Sequence, residues 1–204
     1  MFSCSNLSIT IKDRLLIQDF GLTLFPGSIT IITGKNASGK TSLLKAFAGV
    51  GSYTGNISWN DVNIKDELNT YHSLINYIAH DNALKSRLTV LENITLWAEL
   101  KDSTELILPA LNYFNLNELI DYRICDLSQG QAKKVALARL MATYADLWLL
   151  DEPDVNLDTE TKARLDNLIT TKASNGGIVI ITTHNAPPPH KNYLMVDLHD
   201  FTPL

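Results

Sequence analysis

The chain has 204 residues, 45% of them apolar, enough to bury one substantial core with room for a smaller lobe. Seventeen basic residues against 22 acidic ones leave a formal net charge of −5, which offers no basic field for nucleic acid. The apolar runs fall short of the roughly 18–20 residues that span a bilayer. Lys12 and Arg14 follow the first strand-like segment, so no basic-then-apolar leader opens the sequence. A soluble protein that stays where it is made is expected. Cys4 and Cys125 lack metal-ligand spacing and read as small buried apolar residues in a reducing compartment.

Ser3 to Ile11 and Leu15 to Phe25 read as two strands split by a polar turn at Lys12-Asp13-Arg14. Pro26-Gly27 turns the chain into the β-branched strand Ile29 to Thr33. Next come Gly34-Lys35-Asn36-Ala37-Ser38-Gly39-Lys40-Thr41 and Ser42, and then a helical run, Thr41 to Ala48, with Leu43, Leu44 and Phe47 on one face. Strand, glycine loop and helix are the context in which G-x-x-x-x-G-K-[ST] carries meaning. Polyphosphate is bulky and anionic, so its site needs many backbone N–H donors and few side chains in the way. Lys40 is placed to reach the β- and γ-phosphates, Thr41 to give its hydroxyl to Mg²⁺, and Ser42 to touch the α-phosphate.

Gly49 and Gly51 stop that helix, and Gly55 to Trp59 with Val62 to Ile64 form a hairpin about Asn60-Asp61. The N-terminal third thus reads as an antiparallel β layer beside a nucleotide-binding core. A short strand over Leu74 to Ile78 ends at His80. From Leu88 to Phe114 the period turns helical, carried by Leu91, Ile94, Leu96, Trp97 and Leu100, then Leu106, Ile107, Leu111 and Phe114. The helical subdomain, residues 84–127, interrupts the α/β core of a single domain spanning 1–204. Its stripe serves as core or as a face for a partner.

A helix over Gln131 to Tyr144 leads to the apolar strand Leu147 to Leu150, which ends on Asp151-Glu152. Another covers Thr159 to Lys172, and the strand Ile178 to Ile181 ends at Thr182-Thr183-His184. Such continuous apolar runs mark buried parallel strands. Pro187-Pro188-Pro189 breaks the pattern, with little expected after it. Carboxylates at the C-terminal end of a buried strand lie where open α/β sheets bind ligands. Asp151 is placed to hold Mg²⁺ through water, and Glu152 to act as general base on the attacking water. Leu127-Ser128-Gln129-Gly130-Gln131 reads as a serine N-cap opening a helix, and a helix start of this kind is also an anion site.

In this order and spacing, the phosphate loop, Leu127–Gln131, Leu147–Glu152, Asn156-Leu157-Asp158 and His184 resemble the nucleotide-binding subunit of an ATP-binding-cassette (ABC) transporter. The resemblance spans nearly the whole chain and implies a P-loop NTPase core with an N-terminal antiparallel layer and a small helical insertion. It implies a Mg²⁺-dependent ATPase working as a head-to-tail homodimer. Each ATP lies between one subunit's loop and the signature element of the other (Ser128, Gln129, Gly130, Gln131). His184 senses the γ-phosphate, Asp158 carries signals across the pair, and the helical insert moves membrane helices.

A narrower likeness, to the ATP-binding subunit of cytochrome c maturation, rests on three stretches. They are His80 with Leu84 to Asn93, Val135 to Leu140 with Leu147 to Pro153, and Gly176 to His184. It implies a peripheral subunit on the cytoplasmic face of the inner membrane, bound to permease-type partners, with a coupling helix docked beside His80 to Arg87. It also implies the release of a haem-loaded chaperone from those partners. Another small ABC exporter, a soluble ABC ATPase, or a nucleotide-binding partner without turnover are the alternatives. The missing coiled coil and the single cassette count against the soluble readings, and the intact Lys40, Asp151, Glu152 and His184 against the last. Four positions depart from the general pattern: Ala37 for the loop's middle glycine, Gln129 for glycine or alanine, His80 at the glutamine-loop position beside the metal, and Ile11 for an adenine-stacking aromatic. Ala37 fits the loop if its backbone stays at negative φ.

Overall fold

The computed structural model describes residues 1–79, 82–184 and 193–203; His80 and the Pro187–Pro189 break lie outside them. Two sheets organise the chain. The first is antiparallel, in the order β2-β1-β4-β5, built from β1 (Phe2–Ile11), β2 (Arg14–Leu24), β4 (Thr54–Trp59) and β5 (Val62–Asn63). Both of its tight turns have two left-handed residues, Lys12 and Asp13 at φ 47° and 64°, Asn60 and Asp61 at φ 48° and 66°. That geometry matches the twist of the strands it joins.

The second sheet is wholly parallel, in the order β6-β7-β8-β3-β9. Its strands are β3 (Ile29–Thr33), β6 (Ile75–Ile78), β7 (Leu147–Asp151), β8 (Ile178–Thr182) and β9 (Leu194–Asp197). Every residue of β7 and β8 is buried, as their unbroken apolar runs require. Alternate side chains divide between two cores. Leu147, Leu149, Ile178 and Ile180 point to a layer shared with the antiparallel sheet. Helix α1 (Lys40–Phe47) fills that layer, burying Leu43, Leu44 and Phe47, with the Phe2 and Phe47 rings edge-to-face at 5.0 Å. Trp148, Leu150, Val179 and Ile181 point the other way, towards α3 (Val90–Glu99), α4 (Ile107–Tyr113), α5 (Gln129–Ala142) and α6 (Thr159–Ser174).

Four expectations change. The segment before β6 is a helix, α2 (Leu68–Leu74), whose Tyr71 hydroxyl donates to Phe47 O at 2.6 Å. His72 Nε2 lies 3.0 Å from Ala48 O, so α2 serves carbonyls that end α1 without intrahelical donors. Second, β9 and a 3₁₀ turn (Leu198–Phe201) follow the proline break, with Leu198 buried and Phe201 4.7 Å from the Phe20 ring. Third, the apolar stripe of α3 is Val90, Ile94 and Ala98, while Leu100 is exposed. Fourth, Cys125 is exposed; only Cys4 is buried, its thiol pushed up to about 12 by desolvation. No helix among the described residues is long and apolar enough to cross a membrane.

Candidate active site

The loop from Gly34 to Gly39 joins β3 to α1 at the C-terminal edge of the parallel sheet. Gly34 cannot carry a side chain: a Cβ there would meet Ser38 Oγ at 2.6 Å and Leu198 Cβ at 3.3 Å. Gly39, at φ 101°, caps α1 without a side-chain hydrogen bond. The first-turn N–H groups have no intrahelical acceptor, which suits an anion. Ala37 is the correction here. Its φ is +61°, left-handed and not negative, in the backbone path that a glycine follows without strain.

Lys40 is only 6% exposed. Its ammonium donates to Gly34 O at 3.0 Å and Lys35 O at 3.4 Å, and stands 3.8 Å from Glu152 Oε1. Burial lowers its pKa, an effect opposed by Glu152 and Asp151. The His184 ring lies 3.2–3.3 Å from Lys40 Nζ, and its Nε2 is 2.5 Å from Glu152 Oε1. With a proton on Nε2, His184 donates to Glu152 while Nδ1 accepts from Lys40.

Asp151, 1% exposed, ends β7 with both oxygens occupied. Oδ2 accepts from the Thr41 hydroxyl at 2.8 Å and Oδ1 from the Thr182 hydroxyl at 2.6 Å. Asp151 and Thr182 are register partners in neighbouring strands, so the second bond follows from the sheet. Glu152 leaves the strand at φ +48°, its N–H shared between Thr182 O at 3.1 Å and Thr182 Oγ1 at 3.2 Å. A left-handed glutamate is held there by this frame and not by its own preference. Thr182 is a site residue that sequence reasoning took only as a strand end.

Glu152 and His184 line a cleft of about 870 Å³, with Asn36 to Ser42, Lys40 and Thr41 among them, along one wall. The β1–β2 hairpin supplies Ile11, Lys12, Arg14 and Leu16 at the rim, and Lys45 adds another cation. Sequence reading placed Ile11 there, but took Lys12 and Arg14 only as turn residues; their basic character beside a phosphate loop was the available signal. Among the described residues no group of three or more His, Cys, Asp or Glu is set to hold a metal. Thr41 Oγ1 and Asp151 Oδ2 are hard oxygen donors beside the phosphate loop. They fit Mg²⁺, which takes one or two protein oxygens and fills its shell from phosphate and water.

The signature element lies apart from this cleft. Ser128 caps α5: its Oγ accepts from Gln131 N–H at 3.3 Å, while Ser128 N–H donates to Gln131 Oε1 at 2.9 Å. Gln129 and Asn156 line a separate polar pocket of about 390 Å³ that also reaches Glu152. Asp158 caps α6 by accepting from Thr161 N–H at 2.7 Å and pairs with Lys134 at 2.9 Å. Those hydrogen bonds hold its carboxyl well below the usual range. The structure thus joins Lys40, Thr41, Asp151, Glu152 and His184 in one place, and leaves Ser128 to Gln131 outside it.

Residues 17–155 match the family model described as ABC transporter. The chain belongs to the ABC transporter family. Its curated relatives include proteins named "Cytochrome c biogenesis ATP-binding export protein CcmA". The one from Rickettsia felis is 42% identical over 90% of this chain and 93% of its own length. That from Wolbachia pipientis wMel is 37% identical over 100% and 99%, and that from Vibrio vulnificus 34% over 90% and 92%. Identity at this level over nearly the full length places the chain in that branch of ABC ATPases. Solved structures agree on the fold. An ABC transporter ATP-binding protein from Pyrococcus furiosus superposes with a TM-score of 0.84 at 24% identity, covering 99% of both chains. The cassette MJ0796, in a dimeric post-hydrolysis state bound to ADP and Pi, gives 0.81 at 23%, covering 91% and 88%.

Proposed function

We propose that this chain is the Mg²⁺-dependent ATP-hydrolysing subunit of a membrane complex in cytochrome c maturation. It works as a homodimer on the cytoplasmic face of the inner membrane and drives release of a haem-loaded chaperone from permease-type partners. The observation that carries the chemistry is the cluster in which Thr41 and Thr182 hold the two Asp151 oxygens while Lys40 and His184 converge on Glu152. The names of the relatives support the pathway.

In this reading Gly34 to Gly39 present backbone N–H groups to the triphosphate, Lys40 neutralises its β- and γ-oxygens, and Ser42 contacts the α-phosphate. Thr41 and Asp151 would hold Mg²⁺, which would supply positive charge for the leaving β-phosphate oxygen, and His80 takes the glutamine-loop position in the sequence. Glu152 accepts a proton from water as the water oxygen bonds to the γ-phosphorus and the bond to the β–γ bridging oxygen breaks. His184 keeps the Glu152 carboxylate turned towards the cleft and senses the γ-phosphate. Residues 128–131 act on the partner's ATP, since they stand outside their own chain's cleft, and Asp158 carries the signal between subunits. The insert at 84–127 passes motion to the membrane.

Two variants test it. Lys40→Ala is expected to lose ATP binding and turnover together. Glu152→Gln is expected to bind ATP normally, hydrolyse it at least 10²-fold more slowly and accumulate as an ATP-bound dimer on size-exclusion chromatography. Normal turnover by a monomeric Glu152→Gln chain would refute the base assignment.

A further inference from the structure

Lys133 stands in the second turn of α5, the helix that opens on Ser128, yet its side chain is only 5% exposed. An ammonium at that depth is costly unless carboxylates compensate for lost water. Burial lowers the Lys133 pKa, and Asp151, Asp154 and Glu152, all from one short segment, offset that desolvation only in part. Lys133 and Glu152 share the walls of the polar pocket of about 390 Å³, together with Asn82, Gln129 and Asn156. Glu152 also lines the nucleotide cleft. It is therefore the partition between the two cavities, with Lys40 and His184 on the cleft side and Lys133 on the other.

The adjacent lysine behaves differently. Lys134 is partly exposed and pairs with Asp158 at 2.9 Å. Lys134 thus joins α5 to the cap of α6, while the buried Lys133 lines the same polar pocket as Glu152 at the strand end.

We propose that Lys133 is a positioning residue, which holds the Asp151–Asp154 segment from the α5 side and so couples the helix behind Ser128 to the Glu152 carboxylate of the same chain. This rests on the assignment of Glu152 as base and of Ser128 as a contact to the partner's nucleotide. Given those, a shift of α5 on meeting ATP in the opposite site moves the base in its own site. Occupancy of one site is then felt at the other without contact between the two nucleotides.

The test uses the full-length chain. Lys133→Met keeps the length and apolar stem while removing the charge. Misplacing a catalytic group by about 1 Å costs on the order of 10²-fold, so kcat should fall about 10- to 100-fold. ATP affinity should stay within about twofold, ATP-driven dimerisation should persist, and Lys133→Arg should restore most of the rate. If Lys133→Met does not fold, Lys133→Gln carries the same expectations. A kcat within twofold of the parent in a chain that dimerises normally overturns the proposal. So does a loss of kcat matched by an equal loss of ATP affinity that Lys133→Arg fails to repair, for that is a structural role only. Glu152→Gln run alongside separates the layers: surviving turnover there removes the base assignment itself, whatever Lys133 does.

Discussion

Replacing Ala37 by glycine should stabilise this protein, although it deletes a methyl group. Ala37 sits at φ +61° in the phosphate loop, with its side chain exposed, so little packing is lost. An L-residue in the left-handed region pays about 1–2 kcal/mol for the approach of Cβ to the carbonyl oxygen. Glycine avoids that cost but loses about 0.4–1 kcal/mol more in ordering the unfolded chain. The difference is a net gain of roughly 0.5–1 kcal/mol, which for a domain of this size raises Tm by about 1–4 °C. Thermal and urea unfolding of the full chain, followed by far-UV circular dichroism, measures it. ATP affinity should change by less than about twofold, because the loop already holds the conformation glycine would adopt. Ala37→Val provides the opposite sign: a β-branched residue at this φ should cost more than about 1 kcal/mol. A midpoint that falls in Ala37→Gly, or that is indifferent to Ala37→Val, would show that residue 37 does not occupy the left-handed region.

Two further outcomes follow from the site and the insert. Thr182→Val removes the hydroxyl that donates to Asp151 Oδ1 and accepts from Glu152 N–H. A buried hydrogen bond to a charged group contributes about 1.5–3 kcal/mol, so the urea midpoint should drop accordingly, and Mg²⁺ titration of ATPase activity should shift to higher concentration. Charge reversal at Lys85 or Arg87, both exposed, should leave ATP binding intact while abolishing co-purification with the membrane partners; normal assembly would place the coupling surface elsewhere.

Much of this site is legible in the sequence because its parts obey local rules. The strand–loop–helix around Lys40 and the buried run ending on Asp151-Glu152 each carry their signal within a dozen residues. The capping box at Ser128 does the same, since serine and Gln131 satisfy each other at three-residue spacing. What was hidden depends on neighbours distant in the chain. Thr182 matters because β8 lies beside β7, and a threonine ending a strand gives no hint of that. Lys133 reads as helix material until the fold buries it. The left-handed backbone of Ala37 is imposed by a loop that must aim its amides inward, against the residue's own preference. α2 escaped notice because its seven residues carry a mixed pattern, and its reason for existing is the pair of carbonyls it serves at the end of α1.

The order of the parallel sheet explains why a single cleft collects residues from so far apart. In chain order β3 precedes β6, β7 and β8, yet β8 is inserted between β7 and β3. Ile31 and Leu150 both pair with Ile181 in that register. One strand end therefore touches both halves of the chemistry: Thr182 holds Asp151 and Glu152 on the β7 side, and two residues later His184 meets Lys40 on the β3 side. Had β8 been an edge strand, its threonine and histidine would serve one side at most. The signature element gains nothing from this arrangement. It opens α5, which packs on the opposite face of β7 and β8 from α1, and its serine is satisfied within its own helix cap. Under the proposed function, a complete nucleotide site calls for a second chain to bring Ser128 to the mouth of the cleft.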